Sequence, residues 1–210
     1  MNATAKQSAE PQDGAERIRL EIIEASMVLF QHYGFSKTTM ADIARATSMS
    51  PGNLYRYYKN KQDIGRAVVE RYFRMSEAQM ETGLMLPGGG PAERIRGLIS
   101  DGVGHLMREM AHNPRLVELA DFICSDPEGM ISLQQHVEWK EKAIAKEVVR
   151  GIQTGEFKPC DAEQVGQIFV AATRAYWMPM ALIHIRQEDG KPVLLEDIID
   201  LMLAGLRPSK

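Results

Sequence analysis

Apolar residues recur at intervals of three and four in segment after segment of this chain, and the Val, Ile and Thr alternation of a half-buried strand is missing. The pattern predicts an all-α protein of about nine helices and no sheet. Ile18, Ile22, Ala25 and Leu29 line one face of a first helix that ends before Gly34. Thr39-x-x-Asp42 has the form of a capping box and opens a short second helix with Met40, Ile43 and Ala44 turned inward. Ser50 followed by Pro51 starts a third, from Pro51 to about Tyr58, because Ser satisfies free N–H groups and Pro is tolerated at the first helical position.

Asn60-x-x-Asp63 caps a long fourth helix through Ile64, Val68 and Tyr72 towards Leu86, where Pro87 to Pro91 (PGGGP) stops it. Further helices are expected over Ala92 to Ala111, after Asn113-Pro114, and after Asp126-Pro127 through Trp139 to about Ile152, with Gly155 as the stop. Asp161-x-x-Gln164 opens another, running to about Arg186, and Val193 to Leu206 closes the series. This divides the chain into a polar, disordered tail (1–14), a helix-turn-helix unit (15–74) and a larger helical domain (75–210).

The stretch most loaded with chemistry is Thr38 to Lys61, where two short helices flank Ser48-Met49-Ser50. A helix-turn-helix needs this arrangement, one helix bracing while the other offers its first turn to the major groove. Ser50 and Gly52 are small and let backbone N–H groups approach a phosphate closely. Asn53 and Arg56 suit hydrogen bonds to base edges, and Tyr55 and Tyr57 reach a phosphate or a thymine methyl. Lys61 opens the fourth helix, where its cation opposes the dipole, and an anion there would offset that penalty.

Leu29 to Phe35 (LFQHYGF), Thr39, Ile43-Ala44, Ala46, Ser50-Pro51-Gly52, Leu54-Tyr55, Tyr57-Tyr58 and Lys61 stand together at fixed offsets. In these residues the segment from Glu16 to about Arg71 resembles the DNA-binding domain of the TetR family of bacterial repressors. The resemblance implies that Thr39, Tyr57 and Lys61 clamp phosphates while Ser50, Pro51, Gly52, Asn53, Tyr55 and Arg56 supply groove contacts. Ser48 departs from the pattern, occupying the turn where the family usually has glycine. A non-glycine residue at positive φ costs about 1 kcal/mol there. Leu54, Tyr58 and Ile64 fall on the apolar face and read as core.

Beyond Met75 the resemblance is one of layout, implying a small-molecule cavity among the middle helices and a homodimer through the last two. Val165, Ile168, Phe169, Ala172, Tyr176 and Met180, with Leu194, Ile198, Leu201 and Leu206, supply apolar stripes for a four-helix interface between two subunits. Met107, Met110, Phe122, His136, Trp139, Tyr176, Trp177 and Met180 are the candidate pocket lining, with Arg174 facing an anionic ligand or an acidic neighbour.

Charge sharpens this division. The net charge is -3. From Gly14 to Arg74, however, ten basic residues oppose six acidic ones, so the segment carries about +4 and the rest about -7. A basic module on an acidic body suits a protein that meets phosphate at one end. With 44% hydrophobic and 25% charged residues the composition is globular. No apolar run approaches the roughly 18 residues of a membrane span, and the polar N-terminus has no signal-like core, so a cytoplasmic protein without membrane contact is expected.

Cys124 and Cys160 are too few and too distant for a disulfide framework and read as reduced thiols. His105, His112, His136 and His184 lack a carboxylate or thiol at supporting spacing, so neither a metal nor a cofactor is expected. No HExxH, phosphate-cradling glycine loop or nucleophile elbow is present, which favours a non-enzyme whose partners are double-stranded operator DNA, a small-molecule effector and a second copy of itself. Two alternatives remain, a DNA binder controlled by a protein partner or by abundance, and a helical enzyme acting on a small molecule.

Overall fold

The computed structural model describes residues 10–84, 89–185, 187–188, 191–192 and 194–208. The expected helical extension over 85–86, the first residues of the PGGGP loop, Arg186, Val193 and most of the N-terminal tail lie outside them. Within the described residues the chain forms α1 (Glu10–Tyr33), α2 (Met40–Ala46), α3 (Pro51–Leu54), α4 (Lys61–Leu84) and α5 (Pro91–His112). There follow α6 (Leu116–Ser125), α7 (Pro127–Thr154), α8 (Ala162–Thr173), α9 (Pro179–Leu182) and α10 (Leu195–Leu206).

Most of the caps read from the sequence are made. The Thr39 side chain accepts the Asp42 N–H at 3.2 Å while the Asp42 carboxylate accepts the Thr39 N–H at 3.0 Å. Ser50, Asn60, Asp126 and Asp161 accept the N–H three residues on, from Asn53, Asp63, Gly129 and Gln164. Gly155 closes α7 at φ 76°. Ser48 has φ 55°, the left-handed conformation expected of the turn position usually held by glycine.

Five expectations are corrected. Residues 10–14, expected within the disordered tail, form the first turns of α1. The third helix is a single α-turn that ends at Leu54 and continues as hydrogen-bonded turns through Tyr58, with Tyr57 and Tyr58 both donating to the Leu54 carbonyl. Asn113 closes α5, and α6 begins only at Leu116. The expected long helix from Asp161 to Arg186 breaks at Thr173 into a 3-10 turn (Arg174–Trp177), an extended Met178 and then α9. Pro179 has no N–H to offer a continuing helix, and its ring clashes with the carbonyl four residues back. Finally, a two-residue antiparallel pairing joins Gln187–Glu188 to Lys191–Pro192 where no β structure was expected.

Two cores organise these elements. Ile22, Ile23, Phe30, Ile43, Leu54, Ile64 and Val68 form the first, together with Leu119 and Ile123 of α6. The second gathers Ile95, Ile99, Val103, Ile144, Val148, Phe169, Leu182 and Ile199. Because α4 contributes Ile64 and Val68 to one core and Met80 to the other, and α6 reaches across, the two are mechanically joined. Gly65 permits that junction. A Cβ there would lie 2.7 Å from the Phe35 ring and 3.0 Å from Phe122, two rings stacked with centroids 4.4 Å apart.

Candidate DNA interface and sensor core

The helix-turn-helix presents its polar residues outward because its apolar ones are consumed by the first core. Leu54 is fully buried and Tyr58 nearly so, which turns Thr39, Ser50, Pro51, Gly52, Tyr55 and Arg56 to solvent. Tyr55 is 52% exposed, a large value for an aromatic side chain. Asn53 and Tyr57 are half-buried. Lys37, Arg45, Arg56 and Lys59 add exposed cations. The nearby acids are locally engaged. Hydrogen bonds from Thr39 hold the Asp42 carboxyl below its ordinary range, and Asp63 accepts from the Lys59 N–H and from Arg66.

Two contacts escaped the sequence reading. Arg19, on α1, donates to the Tyr57 carbonyl at 2.6 Å and lies over the Tyr57 and Tyr58 rings, so it fixes the segment following α3. Lys61 spends donors internally: its Nζ reaches the carbonyls of Phe35 and Ser36 at 2.7 and 3.1 Å, capping the turn after α1. An ammonium has three donors, which leaves one for an outside acceptor. Partial burial holds the Lys61 pKa below the usual lysine value.

Polar links cross from this unit to the larger one. Glu118 of α6 accepts the Ser36 N–H at 3.1 Å and sits where a Cβ on Gly34 would collide with it. Gly34 has φ 88°, so glycine is required there on both counts. Arg115 donates to the Tyr33 carbonyl at 2.9 Å. Arg66 of α4 pairs with Asp126 and Glu128 at the start of α7, each at 3.0 Å.

In the larger unit the nine expected pocket residues separate into three groups. Trp139, Tyr176 and Trp177 come together in the second core with Met107 and Met110 half-buried against it, and His136 adjoins them at the seam, between Phe73 of the first core and Trp139. Phe122 packs instead on Phe35 in the first core, since α6 faces the helix-turn-helix. Arg174 and Met180 project to solvent, on the outer sides of a 3-10 turn and an α9 whose Tyr176 and Leu182 face inward. His136 Nδ1 lies 2.7 Å from Glu77 of α4, and the imidazole stacks on Phe73 at 4.4 Å. Burial and the nearby Lys140 push the His136 pKa down to about 3. The ring is therefore neutral, and this contact is a hydrogen bond to Glu77 with no ion-pair character near neutral pH.

Surface cavities among the described residues open elsewhere. One, about 220 Å³, lies between α4 and α5 and is lined by Ser76, Met80, Asp101, Gly102, His105 and Arg108 among others. The second, about 360 Å³, lies beside α1 and α2, with Tyr33, Lys37 and Arg45 in its wall. Among the described residues no helix is long and apolar enough to cross a membrane.

A short helix-turn-helix with an exposed polar face, joined through one long helix to a helical body, defines a helix-turn-helix regulator. Comparison with known proteins is specific. Residues 22–68 match the family described as bacterial regulatory proteins, tetR family, and residues 91–192 match the tetracyclin repressor-like C-terminal domain. The chain belongs to the TetR family of bacterial regulatory proteins.

Relatives include the HTH-type transcriptional repressor KstR of Mycolicibacterium smegmatis, 29% identical over 48% of this chain and 47% of that protein. The chain thus spans about half the length of that relative. A probable HTH-type regulator, ArpR of Pseudomonas putida, is 26% identical over 90% of this chain and 86% of its own length. Among solved structures, RolR in complex with resorcinol has a TM-score of 0.61 at 19% identity, covering 94% of this chain and 91% of that one.

Proposed function

We propose that the chain is a homodimeric transcriptional repressor that grips a pseudo-palindromic operator with one helix-turn-helix per half-site and releases it when a small molecule enters the larger domain. The observation that carries this reading is the exposed set Ser50 to Gly52, Tyr55 and Arg56 on a segment whose apolar side is wholly buried. Asn53 and Arg56 read base edges, while Thr39, Tyr57 and the remaining donor of Lys61 hold phosphates. The unit spanning 15–74 reads DNA and that spanning 75–210 senses and dimerises. Neither catalysis nor a cofactor has a part in this reading, and the protein works in the cytoplasm.

Homodimerisation is supported by apolar side chains left outside on α8 and α10. Ile168 is 51% and Leu201 76% exposed, whereas Phe169 and Leu206 from the same stripes turn into the core. The effector reading is supported by family membership and by a relative of the same fold that holds resorcinol. Coupling runs through α4 and the α6–Gly34 and Arg66–Asp126 links, so a change in the second core re-spaces the two reading heads.

Selecting duplexes from a random pool with the purified protein tests the DNA assignment. A palindromic consensus bound by an even number of protomers is expected; recovery of no sequence preference contradicts it. With Cys124 and Cys160 replaced by serine and a nitroxide placed at Gln62, the interspin distance in the dimer should change when an effector loosens DNA binding. An unchanged distance would rule out re-spacing as the mechanism.

A further inference from the structure

Lys140 is the most unusual residue of the larger domain. It is only 3% exposed, on α7 between His136 and Ile144 of the buried face. Among the described residues its ammonium meets no carboxylate within ion-pair distance and no hydrogen-bond acceptor; it lies 4.2 Å from the centroid of the Trp177 ring. The carboxylate whose field reaches it, Glu77, is already tied to His136. No hydrogen bond to the protein is made by this ammonium and its Nζ keeps a small exposure, so its three donors are open to water or to a ligand acceptor.

The ring beneath it is held in place. Trp177 Nε1 donates to Thr173 Oγ1 at 3.1 Å, and that hydroxyl donates to the Phe169 carbonyl at 2.8 Å. Trp177 also touches the wall of the α4–α5 groove: a Cβ on Gly102 would lie 2.6 Å from the indole and 3.1 Å from Met80 Sδ, and Gly102 and Met80 both line the groove. A chain of contact thus runs from the groove through the indole to the ammonium. At the surface the groove carries Arg108 and His105 beside one acid, Asp101.

We propose that the effector is an organic anion with an apolar body, whose acidic group seats on Lys140 against the Trp177 indole and which enters from the α4–α5 groove. The inference rests on the sensor reading above and adds the chemical class of what is sensed. Lys140 and not the exposed Arg174 is the charge partner. The anion supplies the acceptors the ammonium lacks, and Met80, Trp177 and Trp139 supply the apolar contact. Burial holds the Lys140 pKa down to about 8, so the group remains mostly protonated near neutral pH and available to an anion.

The test is a matched panel on the full-length protein: benzoate, 2-naphthoate and octanoate, each beside its carboxamide and its primary amine, read by tryptophan fluorescence and calorimetry. At least one acid should bind, with its amide and amine about tenfold weaker or more. Lys140→Met should weaken that acid by a similar factor and Lys140→Arg should restore most of it, with affinity for the selected DNA duplex unchanged in the absence of acid. Binding of neutral or amine probes with equal or better affinity, or acid binding untouched by Lys140→Met, overturns the anion proposal and leaves the sensor reading intact. If no acid binds while DNA binding is normal, the anion proposal is overturned, whereas the sensor reading falls only if no small molecule changes affinity for the duplex.

Discussion

The two cores of this molecule treat polar groups in opposite ways. Around the first, charged and hydroxyl side chains sit at the rim and are spent on caps and turns: Thr39 with Asp42, Ser50 with Asn53, Lys61 with the Phe35 carbonyl. Its buried polar residues are Ser26 and Thr38, both small and neutral. The larger unit buries Lys140, Glu147 and Thr173, and it buries His136 at the seam where Phe73 of the first core meets Trp139 of the second. Sealing ionisable groups inside a core opposes stability unless each is paired, so the second core holds groups whose presence packing alone does not explain. The difference separates a unit built to hold a surface in one shape from a unit that keeps chemistry in its interior.

Truncation inside the first core gives the largest expected effect. Leu54→Ala removes a fully buried side chain from beneath the reading surface and should cost about 2–5 kcal/mol in urea unfolding, with DNA binding lost alongside. If stability falls and DNA affinity does not, the surface does not depend on that core.

Acid should act on the larger unit. With the folded-state pKa of His136 at about 3 against 6.5 for the free side chain, the unfolded chain binds the proton first, so stability is intact above pH 6.5 and is lost as pH falls towards 3. Between pH 7 and pH 4 this amounts to roughly 3 kcal/mol, to be read as the difference in pH dependence between the parent protein and His136→Gln. Equal slopes in the two proteins would show that the buried imidazole carries no such penalty.

Lys140→Met goes the other way. Its lowered pKa means that the cost of burying the charge is present below about pH 8 and is relieved as pH rises from there to about 10.5. The substitution should therefore raise stability by about 2–3 kcal/mol at pH 7, in contrast to the usual loss on changing a buried residue. A fall in melting temperature would mean that Lys140 stabilises the fold and would erase the contrast between the cores. The smallest effect is Ser48→Gly, which relieves the positive φ and should stabilise by about 1 kcal/mol without altering the reading surface.

What the sequence disclosed was mostly local. Capping boxes, Ser-Pro and Asp-Pro starts and the Gly155 stop depend on residues three or four apart, so Thr39, Ser50, Asn60, Asp126 and Asp161 were all legible. Pro179 was an available signal for the break after Thr173, masked by the apolar periodicity on either side of it. Phe122 went to the wrong expected neighbourhood because its partner, Phe35, is remote in sequence, and the Arg19–Tyr57 contact has the same character. Lys140 had a signal too. It stands four residues from both His136 and Ile144 on the buried stripe of α7, yet a lysine followed by Glu141 and Lys142 reads as part of a solvated face.

Repression by this protein turns on Tyr55 and Arg56 meeting DNA. Fluorescence anisotropy with a selected duplex, comparing the parent protein with Arg56→Ala, measures this directly. A loss of about 1–3 kcal/mol in affinity is expected with the melting temperature unchanged, since the side chain is exposed. Undiminished affinity for the variant would contradict it.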